Sequence, residues 1–226
     1  VAKLREHTKL VVIENPNGFV GTKPNEQKLE ALARTLYEKD VLLLLDEAYF
    51  YFQNNQSKSH TLTERYRNVL ITQTFSKAHG LAGLRAGYLI GDERLIGYIS
   101  RVKPLCEISS LSARAVEWVL DHPELLEENQ ASIRQSKEYL IHELGKLNIT
   151  VKDTQANFIL AHWPNGNEME DIEQKLKEQK ILIRKPFDEP YLRGWFLVGI
   201  GRLSDSKRFL DALVTLKVNK KSHVYS

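Results

Sequence analysis

Residues 68–91 read NVLITQTFSKAHGLAGLRAGYLIG, and the reading of the whole chain turns on them. Asn68 to Phe75 is mostly β-branched and apolar, which predicts a buried strand, and Ala86 to Ile90 predicts a second. The segment between is rich in turn formers and carries Thr74, Ser76, Lys77, Gly80, Gly83 and Arg85. A lone lysine is usually a solvated side chain. One placed just past a buried strand is expected in an apolar wall, where desolvation penalises the ammonium and leaves an amine able to attack a carbonyl. The hydroxyls of Thr74 and Ser76 and the guanidinium of Arg85 are donors that suit a phosphate.

Upstream, the apolar run Lys9 to Glu14 predicts a buried strand that ends in the turn formers Asn15-Pro16-Asn17-Gly18. Pro24 is expected to open a helix in which Leu29, Leu32, Ala33 and Leu36 recur at helical spacing. Val41 to Leu45 is continuously apolar, as expected of a parallel strand covered on both faces. Strand, helix and strand in this order predict a right-handed βαβ unit. Asp46-Glu47-Ala48-Tyr49 then falls at the carboxyl end of a strand, where open α/β sheets bind ligands. Taken alone, Asp46 reads equally as a cap for the next turn.

Downstream, helices are predicted over 93–102, 111–120 and 124–147, the last long and amphipathic. Short strands at 150–152, 157–162, 181–184 and 195–200 follow, with helices at 168–178 and 204–216, Ser204 serving as N-cap. The expected architecture is α/β. Residues 1–148 form part of a large domain with a mainly parallel sheet flanked by helices, ending in a long bridging helix. Residues 149–226 form a small α+β domain.

Composition agrees with a globular chain: of 226 residues, 42% are hydrophobic and 27% charged, with a net charge of +3. The basic residues are spread along the chain, apart from Lys217 to Lys221, which argues against nucleic acid as a partner. No apolar run approaches membrane-spanning length. Cys106 is the only cysteine, which excludes an intrachain disulfide and fits a reducing, cytoplasmic setting. The histidines show no metal-ligand spacing and are expected in surface or capping roles. The chain starts without a methionine and reads as a piece of something longer.

The string T-F-S-K-x-x-G-L-A-G-L-R-x-G-Y, together with D-E-A-Y upstream, closely resembles the cofactor-lysine region of fold type I aminotransferases that use pyridoxal 5′-phosphate. Within these it is most similar to the histidinol-phosphate aminotransferase group, of which the chain resembles the C-terminal two-thirds. The resemblance implies a transaminase that moves an amino group between an amino acid or amino-phosphate donor and a 2-oxo acid. Lys77 would form the aldimine with the cofactor and carry protons. Asp46 would pair with the pyridine nitrogen and Tyr49 with the 3-hydroxyl oxygen. Ser76 and Arg85, with Thr74, would bind the 5′-phosphate. Arg184, in I-L-I-R, matches an arginine used toward the anionic end of the substrate. A homodimer is implied, and neither metal, membrane nor nucleic acid.

Two positions depart from that pattern. The family loop N-P-N-N-P-T-G is here Asn15-Pro16-Asn17-Gly18-Phe19-Val20-Gly21, so the asparagine that touches the 3-hydroxyl oxygen aligns with Gly18, and Asn17 or Asn15 would have to replace it. The late strand motif L-R-V-T-I-G is here Phe196-Leu197-Val198-Gly199-Ile200-Gly201, with Leu197 in place of a substrate-gripping arginine. Losing such a partner costs on the order of 2 to 5 kcal/mol of affinity. Two alternatives therefore stand beside the transaminase: a decarboxylase or other lyase resembling threonine-phosphate decarboxylases, and a catalytically degenerate relative.

Overall fold

The structure, a computed structural model, describes residues 4–54, 56–105, 107–163, 168–184 and 190–222, with side chains to residue 216. Cys106, for which a reducing setting was expected, lies outside the described residues, as do the side chains of Lys217 to Lys221. The architecture is α/β, and the chain divides into two compact units. The first holds the residues up to Gly18 together with Thr22–Asn129, and the second holds Phe19–Gly21 and everything from Gln130 onward.

In the first unit, β1 (Leu10–Glu14), β2 (Leu42–Asp46), β3 (Val69–Thr74) and β4 (Gly87–Gly91) form one sheet in the order β1-β2-β3-β4. The first three are parallel and β4 runs antiparallel to β3. Between β1 and β2 runs α1 (Glu26–Glu38), which buries Leu29, Ala33 and Leu36 at helical spacing against Leu43, Leu45, Val69 and Ile71. The predicted start of this helix shifts by two residues. Pro24 lies outside it, and the Asn25 side chain caps it by accepting from Lys28 N–H, since asparagine can satisfy an orphan donor and proline cannot. Burial along β2 alternates: Leu43 and Leu45 are fully buried, while Leu42, Leu44 and Asp46 are only partly so. The expected cover on both faces is thus complete on one.

A short helix, α2 (His60–Arg65), precedes β3 and was not anticipated, because only Leu62 in it is buried and no apolar period marks it. α3 (Glu93–Val102) and α4 (Ser110–Asp121) follow β4. α5 (Pro123–Lys146) is the long helix expected there. The unit boundary falls inside it, after Asn129, where the sequence reading places a domain boundary at residue 148. Asn129 Nδ2 donates to Ala78 O in the first unit, whereas Leu140 and Leu144 belong to the core of the second.

The second unit sets β5 (Thr150–Lys152), β6 (Phe158–His162) and β7 (Trp195–Gly199) in an antiparallel sheet, with α6 (Met169–Glu178) and α7 (Leu203–Ser222). Its core joins Ile159, Phe196, Ile172, Leu176 and Leu213 to the α5 leucines. The strand expected at 181–184 reduces to a single bridge between Arg184 and Leu197, and Ser204 lies inside the first turn of α7 instead of capping it. Lys137, buried on α5, donates to Thr154 O and Ala156 O and pairs with Asp153 at 2.6 Å. Its chain covers apolar surface while the ammonium satisfies carbonyls that would otherwise be stranded.

Gly21 packs against Thr154 in this unit with φ +64°, and its carbonyl accepts from Gln155 N–H at 2.8 Å. A Cβ at this position would overlap the Thr154 side chain and sit at a backbone conformation that costs any other residue about 1 kcal/mol. We expect Gly21→Ala to lower the stability of the chain by roughly 2 kcal/mol or more in denaturant titrations, since strain and overlap add. A change under 0.5 kcal/mol would show that the loop simply lifts off Thr154.

Candidate active site

The carboxyl ends of β1, β2 and β3 are neighbours in the sheet, and the register sets Glu14 beside Asp46 and Asp46 beside Thr72. The sequence-predicted residues of the first unit gather here for a simple reason. Asp46 and Thr74 end β2 and β3, Tyr49, Ser76 and Lys77 come just after them, and the strands are parallel and adjacent; β1, expected to be buried, leaves Leu10 and Val12 exposed.

Asp46 ends β2. Its Oδ1 accepts from Ala48 N–H at 3.1 Å, the capping role read from sequence, and among the described residues Oδ2 has no partner. Tyr49 follows, with the Lys77 Nζ over its ring at 5.1 Å from the centroid. On another side of the same ring is Gly18, from which a built Cβ would lie 3.5 Å from Tyr49 Cε2. Position 18 thus faces Tyr49, as the aligned asparagine would require, but offers no side chain.

Lys77 is exposed, contrary to the apolar wall expected of it. The flanking Phe75 and Ala78 take the buried positions at 5% and 2% exposure, so the backbone turns the lysine outward. Thr74 also differs from expectation. Its hydroxyl donates to Ala86 O at 3.2 Å and accepts from Ser76 N–H at 3.0 Å, so its proton is committed to closing the β3–β4 connection. Ser76 and Arg85 do meet: the guanidinium donates to Ser76 Oγ at 3.3 Å and to Ala82 O at 2.9 Å. Arg85 holds this place with φ +53°, a left-handed conformation seldom adopted outside glycine.

Of the two asparagines left open by the sequence, Asn15 is buried and donates to Glu47 Oε1 at 3.0 Å. Asn17 is half-buried and donates to Glu14 Oε2 at 2.7 Å, which also accepts from Gly18 N–H. Asn15 is therefore turned into the fold and away from a ligand. Arg184 belongs to the second unit, exposed and over the Phe19 ring at 5.1 Å.

Sequence reasoning passed over two residues. His79, expected in a surface or capping role, is packed between Tyr51 and Phe75, each with its centroid 4.9 Å away, and burial pushes its imidazolium pKa down. Glu47 is 1% exposed, and three donors converge on it: Asn15 Nδ2, the Ser59 hydroxyl, and Gln73 Nε2 at 2.9 Å. Gln73 in turn accepts from the Tyr88 hydroxyl, which lies 3.3 Å from that of Tyr51. The alternation along β2 was the available signal, since position 47 falls on the same face as Leu43 and Leu45.

Burial pushes the Glu47 carboxyl above its ordinary value, and the hydrogen bonds from Ser59, Gln73 and Asn15 oppose that shift without cancelling it. A raised carboxyl pKa adds stability that is complete below the unfolded value of 4.5 and is lost as pH rises through the folded value. Protonated Glu47 stays fully bonded, because the Ser59 hydroxyl can reverse and accept. An amide cannot do the same: its NH₂ must oppose the NH₂ of either Gln73 or Asn15. We expect Glu47→Gln to cost about 1 to 3 kcal/mol, with the deficit largest in acid and narrowing as pH rises, in urea titrations between pH 4 and 8. A deficit that widens with pH would reverse the assignment.

The sequence profile of the family described as "Aminotransferase class I and II" matches residues 1–213. Histidinol-phosphate aminotransferase 1 of Thiobacillus denitrificans is 33% identical over 214 residues, which cover 94% of this chain and 54% of that protein. Histidinol-phosphate aminotransferase of Caldanaerobacter subterraneus is 31% identical over 210 residues, covering 92% and 57%. Among solved structures, histidinol-phosphate aminotransferase from Sinorhizobium meliloti in complex with pyridoxal-5′-phosphate superposes with a TM-score of 0.84 at 23% identity, covering 92% of this chain and 57% of that one. L-threonine-O-3-phosphate decarboxylase from Porphyromonas gingivalis gives 0.77 at 19%, covering 96% and 67%, so the fold is common to both chemistries. The chain spans little more than half the length of the curated relatives. With its profile matched along nearly the entire sequence, the chain belongs to the class I and II aminotransferase family.

Proposed function

We propose that this chain carries the cofactor-holding part of a pyridoxal phosphate-dependent aminotransferase acting on an amino acid or amino-phosphate and a 2-oxo acid. The observation that carries the reading is the surroundings of Tyr49, with Lys77 Nζ over its ring and position 18 at its edge. The donor set fits the cofactor: an amine, a carboxylate with a free oxygen, a phenol, and a paired hydroxyl and guanidinium. Asp46 Oδ2 would accept from a protonated ring nitrogen, and the Tyr49 hydroxyl would hydrogen-bond the ring's phenolic oxygen. Ser76 and Arg85 would bind the phosphate, charge-assisted on the arginine side. Thr74 would act on it only indirectly, by fixing the backbone at Ser76.

Pyridoxal phosphate, when bound, supplies an electron sink for the carbanion that forms at the substrate's α-carbon. Lys77 would hold the cofactor covalently and then, as a free amine, move the proton between that carbon and the cofactor. Arg184 would receive the substrate's anionic end, with Asn17 bordering the phenolic oxygen. Homodimer formation and a cytoplasmic location are part of the same proposal; among the described residues no helix is long and apolar enough to cross a membrane. Leu197 favours a second reading, a lyase, because an altered hold on the substrate changes which α-carbon bond stands perpendicular to the cofactor ring. A screen of amino donors and 2-oxo acids separates the two, with release of carbon dioxide as the mark of the lyase.

Incubation with pyridoxal phosphate, borohydride reduction and peptide mass spectrometry should give one adduct, on Lys77, that is absent from Lys77→Ala. Labelling spread over surface lysines, unchanged in that variant, would overturn the cofactor assignment. Gly18→Asn should fold normally, since a Cβ there meets nothing nearer than 3.5 Å, and should tighten cofactor binding by roughly tenfold, the worth of one good hydrogen bond to a charged group. Unchanged affinity in fluorescence titrations would remove position 18 from the site.

A further inference from the structure

In the second unit, Arg184 and Leu197 exchange both backbone hydrogen bonds, Arg184 N–H to Leu197 O at 3.1 Å and Leu197 N–H to Arg184 O at 2.7 Å. Antiparallel residues paired in this way project their side chains to the same face, so the guanidinium has a leucine as its direct cross-strand neighbour. The Arg184 side chain is exposed, and among the described residues no carboxylate pairs with it. What it does have is the ring of Phe19, 5.1 Å from Cζ to centroid.

The backbone close to Phe19 is held in place. Two residues on, Gly21 packs against Thr154 and accepts from Gln155 N–H. Thr154 is itself fixed, its hydroxyl donating to Phe158 O and its carbonyl accepting from buried Lys137. A ring anchored by its own backbone is a fixed platform, and a guanidinium resting on it loses the freedom of an otherwise mobile exposed side chain.

We propose that Phe19 is a positioning and specificity-determining residue, which holds Arg184 for a carboxylate borne by an otherwise apolar part of the substrate. This rests on the reading, given above, that Arg184 receives the substrate's anionic end. A guanidinium stacked on a ring keeps its N–H edge free, and two parallel N–H groups in one plane match the two oxygens of a planar carboxylate. One guanidinium neutralises one charge. A phosphate dianion would set its second charge against Leu197, an apolar side chain that cannot compensate its desolvation, whereas a carboxylate on a short alkyl chain sets methylene against leucine. The pair Phe19 and Leu197 therefore selects a monoanion with an apolar neck.

The test follows the Arg184 Nε–Hε resonance in ¹H–¹⁵N spectra of the 226-residue chain, assigned with Arg184→Lys, during titration with propionate and, separately, inorganic phosphate. In the wild type this resonance should carry an upfield ring-current displacement that Phe19→Leu abolishes and Phe19→Tyr retains. Propionate should bind roughly two- to fivefold more weakly to Phe19→Leu than to wild type or Phe19→Tyr, the worth of one exposed cation–π contact. An undisplaced Arg184 resonance overturns the proposal, as does equal propionate affinity in wild type and Phe19→Leu. Tighter binding of phosphate than of propionate at this resonance overturns the ligand class. Neither Phe19 nor Arg184 takes part in borohydride trapping at Lys77, so failure of the cofactor reading registers there and failure of this one registers here.

Discussion

A single buried carboxylate holds the first unit's ligand-facing end together. Glu47 takes donors from the loop after β1 through Asn15, from the start of α2 through Ser59, and from β3 through Gln73. These segments are far apart in sequence and meet only because one side chain offers enough lone pairs to satisfy all three. Asp46 and Tyr49 lie on either side of this node along the chain, and Gln73 precedes Thr74, Ser76 and Lys77 by a few residues. The positions of the candidate cofactor groups thus depend on a residue that touches no ligand. Burying it is unfavourable, as its raised pKa records, and the hydrogen bonds from Ser59, Gln73 and Asn15 offset part of that penalty.

Tyr49 is the point at which this order reaches the surface. It has a cation over its face from one strand's end and Gly18, from the loop after another, at its edge. The missing side chain at position 18 and the exposure of Lys77 bear on the same few ångströms: the ring is supported by the fold yet only partly enclosed. A site of this kind has its chemical groups in place before its walls are complete.

Much of this was legible in the sequence, for reasons that differ by element. The strands β1, β2 and β3 were readable because continuous apolar runs ended by polar residues have few other uses, and α5 because its length leaves no alternative. α2 was not, since HTLTER has one buried residue and no period. The segment 181–184 has the composition of a strand, but whether it becomes one depends on pairing, which is non-local, and only Arg184 finds a partner. In the site, residue identities came through as a resemblance carried by two motifs. Their surroundings did not: the outward turn of Lys77, the committed hydroxyl of Thr74 and the inward turn of Asn15 are all consequences of what neighbouring strands bring. Glu47 was in plain view within D-E-A-Y, and the alternation of β2 marks its face as buried, but nothing local supplies the three donors that seal it.

Arg85 sets conformational preference against chemistry. At φ +53° every side chain is strained relative to glycine, so stability alone would favour glycine at this position. The chain already uses glycine freely in the vicinity, at Gly80, Gly83 and Gly87, and keeps arginine at position 85, where the backbone favours glycine. The guanidinium that results reaches Ser76 and Ala82 from a direction no relaxed residue there would give. Optimising this loop for thermal endurance would therefore begin by erasing the guanidinium on which the proposed phosphate site relies, setting endurance against that proposed use at position 85.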